Sequence, residues 1–199
     1  MNYLFCGLPS DINVGNGKSL SAIELLCKEH YGDGKQIFSN IKLYGLKYTS
    51  LTPDNLNEVL ECENVVVLFD EVYTVLHNSH KPSPSCKKHA QIGLCFDLLR
   101  FFRQIRKIDG TTVSTSQLFG DSQYQLRMLM QEVYFCEKYH WVGKSLVKCK
   151  MDKNKCPDWH EHVIKKTNSR TGEETYIWHP EYYYGLYNTN EIVDSRWIQ

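Results

Sequence analysis

Gly17-Lys18-Ser19 has the residue types and order that close a phosphate-binding loop. Glycines let backbone N–H groups approach phosphate oxygens, a lysine ammonium meets the β- and γ-phosphates, and a serine hydroxyl is a ligand for Mg²⁺. The usual spacing wants a glycine five residues before Gly17, and that position is Ile12. Leaving out Ser10-Asp11-Ile12-Asn13-Val14 restores Gly7-Leu8-Pro9-Gly15-Asn16-Gly17-Lys18-Ser19, a full G-x-x-x-x-G-K-S. The loop therefore reads as intact but lengthened, which costs little chain entropy in a surface loop. Gly7, Gly15, Asn16, Gly17, Lys18, Ser19 and Leu20 make up the expected nucleotide-binding set.

A second group of residues fits the same chemistry. Val65-Val66-Val67-Leu68-Phe69 is an unbroken apolar run that ends in Asp70-Glu71. A run of this kind suits a central parallel strand buried on both faces. Acids at its C-terminal end stand where open α/β sheets bind their ligands. Asp70 is expected to hold Mg²⁺ together with Ser19, and Glu71 to polarise the attacking water. Thr111-Thr112-Val113-Ser114-Thr115-Ser116-Gln117 reads as a neighbouring strand with a polar tip. Gln117 is assigned there as a sensor of the γ-phosphate.

These groups need a strand–turn–helix frame. Tyr3-Leu4-Phe5-Cys6 reads as a short buried strand, and from Leu20 the apolar residues fall at roughly helical spacing. Residues 95–106 read as an amphipathic helix ending at the turn signal Asp109-Gly110. Strands and helices alternate through this region, the pattern of an α/β fold with a mainly parallel sheet flanked by helices.

Two cysteine–histidine groups lie outside that frame. His77, His80, Cys86 and His89 have spacings that allow a tetrahedral zinc site, although the intervening prolines and serines equally describe a loop. Cys136, His140, Cys149, Cys156, His160 and His162 form a second group. Its candidate zinc set is Cys149, Cys156 and His160, with Cys136 or His162 as the fourth ligand and Cys136 taken first. A metal there helps a small β-rich extension that lacks its own core.

Lys plus Arg balances Asp plus Glu at 23 each, so net charge does not point to a nucleic acid. The distribution is uneven. Residues 81–107 carry Lys81, Lys87, Lys88, Arg100, Arg103, Arg106 and Lys107 against Asp97 alone. Lys144, Lys148, Lys150, Lys153 and Lys155 form a second basic segment. Either suits contact with a phosphate backbone without sequence reading, or a solvated face. No apolar run is long enough for a membrane span. Eight cysteines without a secretory leader suit reduced thiols in an intracellular setting. The tyrosine-rich tail from Trp178 to Glu191 is expected to dock on the chain's own sheet.

The order GLP…GNGKS, GKQIFSNIKLYGLKY, VVVLFDE, RQIRKIDGTTVSTSQ, QYQLRMLMQEVYFCEKY resembles the FtsK/HerA-type P-loop ATPases. More narrowly, it resembles the Zot-like and viral genome-packaging ATPases, over residues 1–140. The resemblance implies a P-loop NTPase core at 1–140, followed by a small β-rich extension and C-terminal arm at 141–199. It implies a homo-oligomeric ring that hydrolyses ATP with Mg²⁺ and moves double-stranded DNA without sequence preference. An arginine supplied by a neighbouring subunit is implied as well, with Arg103, Arg106 and Arg127 as candidates. His77-Asn78-Ser79-His80 stands where many Zot-like relatives carry that arginine. The expected function is genome packaging into a capsid, with a capsid or portal protein as partner, in the host cytoplasm or associated with the virion. The alternatives are an ATPase for virion extrusion or DNA transfer, and a nucleotide-dependent assembly switch with poor turnover.

Overall fold

The computed structural model describes residues 1–9, 16–74, 76, 89–151, 156, 162–188 and 197, with the side chains of 73 and 89–93 excepted. The Ser10–Val14 stretch, Gly15, His160 and the group His77, His80, Cys86 lie outside the described residues, as does the side chain of His89. So do Lys81, Lys87, Lys88, Lys153 and Lys155.

Strand β1 (Asn2–Gly7) leads to helix α1 (Lys18–Asp33), then β2 (Gln36–Ser39) and β3 (Tyr48–Ser50). Helix α2 (Leu56–Glu61) precedes β4 (Val65–Phe69), and α3 (His89–Gln104) precedes β5 (Thr111–Leu118). A short helix, α4 (Tyr124–Leu129), feeds the long strand β6 (Glu132–Val142). Three further strands follow: β7 (Ser145–Lys148), β8 (Val163–Asn168) and β9 (Glu174–Ile177).

All nine strands join one sheet in the order β3-β2-β4-β5-β1-β6-β8-β9, with β7 also paired to β6. From β3 to β6 every pair is parallel, whereas β7, β8 and β9 pair antiparallel. The fold is thus α/β with a mixed sheet flanked by helices. The parallel part was legible in the unbroken apolar runs. Val65 through Phe69 are all buried, as are Leu4, Phe5 and Cys6, because crossover helices cover both faces of a parallel sheet. Strand β5 is the exception, with a run of hydroxyls where a central strand is normally apolar. Thr112 Oγ1 donates to Asn2 Oδ1 at 2.8 Å, and Asn2 Nδ2 donates to the carbonyls of Phe102 and Leu129 at 3.0 Å. The hydroxyls are therefore used as ties between strand bottoms and helices.

The strands beyond residue 140 continue the same sheet. Strand β6 runs on past Phe135, its last partner across from β1, to Val142. Its overhang pairs with β7 and, on Tyr134 to Tyr139, with β8. Strand β8 also touches the first helix: Lys166 Nζ lies 2.5 Å from Glu24 Oε2, both buried, and Leu20, Ile164 and Ile177 pack together.

The end of the chain returns to the core, as the tail was expected to do. Leu43 and Tyr187 form an antiparallel bridge. Trp197, 2% exposed, sets its ring edge-on to Phe69 of β4 at 5.5 Å and donates Nε1–H to the Leu51 carbonyl at 3.3 Å. Trp197→Ala removes that packing and is expected to lower unfolding free energy by about 3–5 kcal/mol, read as a fall in the urea midpoint with an unchanged slope. A loss below about 1 kcal/mol, within the range of ordinary surface substitutions, would show that the tail only rests on the sheet.

Candidate functional site

The parallel strands β1, β4 and β5 end at one edge of the sheet, so the expected site residues converge there. Gly17 takes φ 79, the left-handed region that glycine enters without strain, and stands at the N-cap position of α1. No side chain caps that end of the helix, and the Gly17 carbonyl accepts from Ser21 N at 2.8 Å. The N–H groups of the first turn, including that of Leu20, are thus free of a side-chain cap, and the helix dipole favours an anion in front of them. Gly7 is as constrained as the loop chemistry requires. A Cβ there would lie 2.5 Å from Asn16 Nδ2 and 3.0 Å from the Gln117 carbonyl.

Asp70, the residue after β4, is the centre of the arrangement. Its Oδ1 accepts from Ser19 Oγ at 2.9 Å and from Thr115 Oγ1 at 2.7 Å. Its backbone is clamped by the Asn40 side-chain amide, which donates Nδ2–H to the Asp70 carbonyl at 2.9 Å and accepts from Asp70 N at 2.8 Å. Burial raises the Asp70 carboxyl above the ordinary aspartate range, and the hydrogen bonds from Thr115 and Ser19 and the charge of Lys18 pull the other way. Burial and the Asp70 charge likewise push the Tyr187 phenol up.

Glu71 follows with φ 53, a left-handed conformation that a non-glycine residue adopts only when its surroundings impose it. The imposing contact is Thr115 Oγ1, which accepts from Glu71 N at 2.8 Å while donating to Asp70. The turn sends the Glu71 carboxylate toward Gln117, whose Nε2 donates to Glu71 Oε1 at 3.0 Å. Gln117 Oε1 in turn accepts from Lys18 Nζ at 3.1 Å. One amide therefore spans the ammonium and the carboxylate, and its orientation is fixed by both.

The structure thus brings Gly7, Asn16, Gly17, Lys18, Ser19, Asp70, Glu71 and Gln117 to one place. It does not bring the arginines there. Arg106 follows α3 at the opposite edge of the sheet, near the N-terminal ammonium and Gly110. Arg103 is exposed near the end of α3, where it lines a cavity of about 450 Å³ with Arg100, Cys95 and Gln123. Arg127 lies in α4, its guanidinium over the rings of Phe119 at 5.4 Å and Tyr124 at 5.8 Å. Asn40, Thr115 and Tyr187 were missed as site residues. The signal for Asn40 was a polar residue directly after an apolar strand, and for Thr115 a hydroxyl two positions before the sensor. Nothing local marked Tyr187.

The candidate zinc set needs correction. Cys136 sits under α1, fully buried, with its thiol donating to Ser21 Oγ at 3.6 Å. Burial pushes it up to about 11, so it is an inert core thiol. The residues that do meet are His140, Cys149, Cys156 and His162. The basic segment is also reduced, since Lys148 pairs with Glu137 at 2.7 Å.

The donors fit a magnesium–nucleotide complex. Ser19 Oγ and the Asp70 carboxylate are hard oxygen donors already in contact, beside an uncapped helix start and a glycine-lined cradle that a Cβ would fill.

The chain is similar in fold to the N-terminal domain of zonular occludens toxin from Neisseria meningitidis. The TM-score is 0.55 at 14% identity, over 94% of this chain and 98% of that one. The genome packaging NTPase B204 from Sulfolobus turreted icosahedral virus 2, in complex with ATP-gammaS, gives 0.49 at 7% identity, over 87% of this chain and 95% of that one. The KaiC-like protein PH0186 from Pyrococcus horikoshii OT3 gives 0.48 at 11% identity, over 89% and 82%. No protein-family model matches the chain, and no curated protein matches its sequence significantly. The first likeness speaks for the fold, which is consistent with a generic P-loop NTPase architecture. Among the described residues no helix is long and apolar enough to cross a membrane.

The raised Asp70 carboxyl has a measurable consequence. Ionising a carboxyl whose pKa is raised on folding costs stability as pH climbs from the ordinary aspartate range through the raised value. Asp70→Asn removes that cost and keeps an acceptor for Ser19 and Thr115. Without nucleotide or magnesium the variant is expected to melt above the parent at neutral pH, with the gap closing below the ordinary aspartate range. Thermal unfolding across pH checks this, and a variant that melts lower at neutral pH would contradict the assignment.

Proposed function

We propose that the chain is an ATP-hydrolysing motor that moves double-stranded DNA, most specifically one that packages a viral genome into a capsid. The observation that carries the hydrolytic part is the Lys18–Gln117–Glu71 chain beside the Ser19–Asp70 pair, all at the C-terminal ends of adjacent parallel strands. The DNA part is supported by the order and spacing of motifs through residues 1–140 and by the exposed Arg100, Arg103, Arg106 and Lys107 on α3 and the turn after it.

In this reading Gly7, Gly15, Asn16, Gly17 and Leu20 offer backbone to the phosphates, and Lys18 spreads positive charge over the β- and γ-phosphates. Mg²⁺, held by Ser19 and Asp70, neutralises charge on the phosphate oxygens. Glu71 orients and polarises the attacking water, which is most of what phosphoryl transfer asks of a protein beyond positioning. Gln117 occupies the space between Lys18 and Glu71 until a γ-phosphate draws the ammonium away, and so couples the state of the nucleotide to the carboxylate. The arginine that completes the site comes from a neighbouring subunit of a homo-oligomeric ring, and Arg103, Arg106 and Arg127 are the residues to test. A capsid or portal protein is the docking partner, in the host cytoplasm or on the virion.

A second reading is favoured by the lengthened loop at Ser10–Val14: an assembly switch that binds ATP and turns it over slowly. Turnover stimulated by double-stranded DNA supports the motor, whereas tight binding with negligible turnover in the assembled protein supports the switch. Glu71→Gln is expected to keep ATP binding and lower kcat by about 10²–10⁴-fold, the span of general-base contributions. Parental turnover in that variant would remove Glu71 from its role.

A further inference from the structure

We propose that His140, Cys149, Cys156 and His162 form a structural zinc site that fastens the connection between β7 and β8 to β6. The inference does not depend on the nucleotide reading, because the ligands belong to a different part of the sheet.

The geometry carries it. One ligand atom from each residue lies within 4.8 Å of the other three. A tetrahedral zinc centre, with Zn–S near 2.3 Å and Zn–N near 2.0–2.1 Å, has sulfur–sulfur edges of about 3.8 Å and sulfur–nitrogen edges of about 3.6 Å. The observed separations are 3.7 Å for Cys149 Sγ to Cys156 Sγ and 3.5 Å for Cys156 Sγ to His140 Nδ1. His162 Nε2 stands 3.3 Å from Cys156 Sγ. Three edges of the tetrahedron are therefore already in place. The sulfur separation is far too long for a disulfide, whose bond is about 2.05 Å, and both cysteines are free thiols.

Charge and burial agree with the geometry. Cys149, Cys156 and His162 are each no more than 3% exposed, and His140 is half-buried. Two thiolates neutralise a divalent ion, so the complete centre is buried without net charge. The two thiol protons leave to solvent as the metal enters. Two sulfurs and two imidazole nitrogens in a tetrahedral set select zinc over the hard, oxygen-seeking cations.

The placement gives the site a purpose. His140 stands on the overhang of β6, Cys149 directly follows β7, Cys156 lies within the connection, and His162 directly precedes β8. Around it, Cys149 N donates to the Lys138 carbonyl at 2.8 Å and Lys138 Nζ donates to the Met151 carbonyl at 2.8 Å. Two residues beyond His162 is Ile164, whose side chain fills the space over Gly17; a Cβ there would lie 2.6 Å from Ile164 Cδ1. The clip thus fixes the strand that backs the phosphate loop.

The test is the metal content of the full chain, purified without chelator and measured by elemental analysis. One zinc per chain is expected. Cys156→Ser and His162→Ala are expected to lose it, while Cys136→Ser and His160→Ala keep it. Because a ligand variant can fail to fold, the unaltered protein is also reconstituted with cobalt. Tetrahedral d–d bands with thiolate-to-cobalt charge transfer are expected, together with a lower melting temperature when the metal is stripped. Well under one zinc in folded protein, a cobalt spectrum without thiolate charge transfer, or loss of metal in His160→Ala with retention in His162→Ala would each overturn the assignment.

Discussion

A carboxylate held in a nearly dry corner governs this molecule. Asp70 closes the apolar strand β4, and burial works against its charge. The fold answers with two hydroxyls and an amide from three other places in the chain: Ser19 on α1, Thr115 on β5 and Asn40 beyond β2. Each partner has a second duty. Ser19 begins the helix that faces the phosphate cradle. Thr115 holds the strained turn at Glu71. Asn40 fixes the exit of β2 against that of β4. The charge that is hardest to bury is therefore what brings four chain segments to one point, since leaving it without partners would cost several kcal/mol.

Much of this was legible in advance, for physical reasons. Five apolar residues ending in two acids could hardly be anything but a central strand opening on a site, and β4 is that strand. The lysine, serine, Asp70, Glu71 and Gln117 lie on three neighbouring strand ends because parallel strands deliver their C-terminal residues to one edge. The sequence was poorer wherever a contact joins distant segments. Tyr187 approaches Asp70 through an arm whose local composition says only that it is aromatic. Cys136 looked like a metal ligand by spacing, yet the pleat turns its side chain under α1 while His140, on the overhang of β6, meets the cysteines. Spacing along a chain cannot say which face of a strand a residue occupies unless the register is known.

The strands beyond residue 140 show how an antiparallel addition can serve a parallel core. Strand β8 contributes Lys166 to Glu24, Ile164 to Gly17, and with Ile177 a small apolar patch around Leu20. All three contacts meet the first two turns of α1 or the glycine before it. The loop that must close on phosphate is thus supported from below by its helix and from the side by β8. Support of this kind suits a loop of unusual length, because a longer loop leaves more of its ordering to its neighbours.

Phe69 and Trp197 are neighbours in space and far apart along the chain. As the polypeptide emerges from the ribosome, β4 and its helices form while the indole that covers them has yet to be made. For that interval an aromatic surface beside the catalytic edge stays open to solvent, to chaperones and to other nascent copies. The timing of synthesis, and not only the final contacts, then decides whether the last residues find their own core or someone else's.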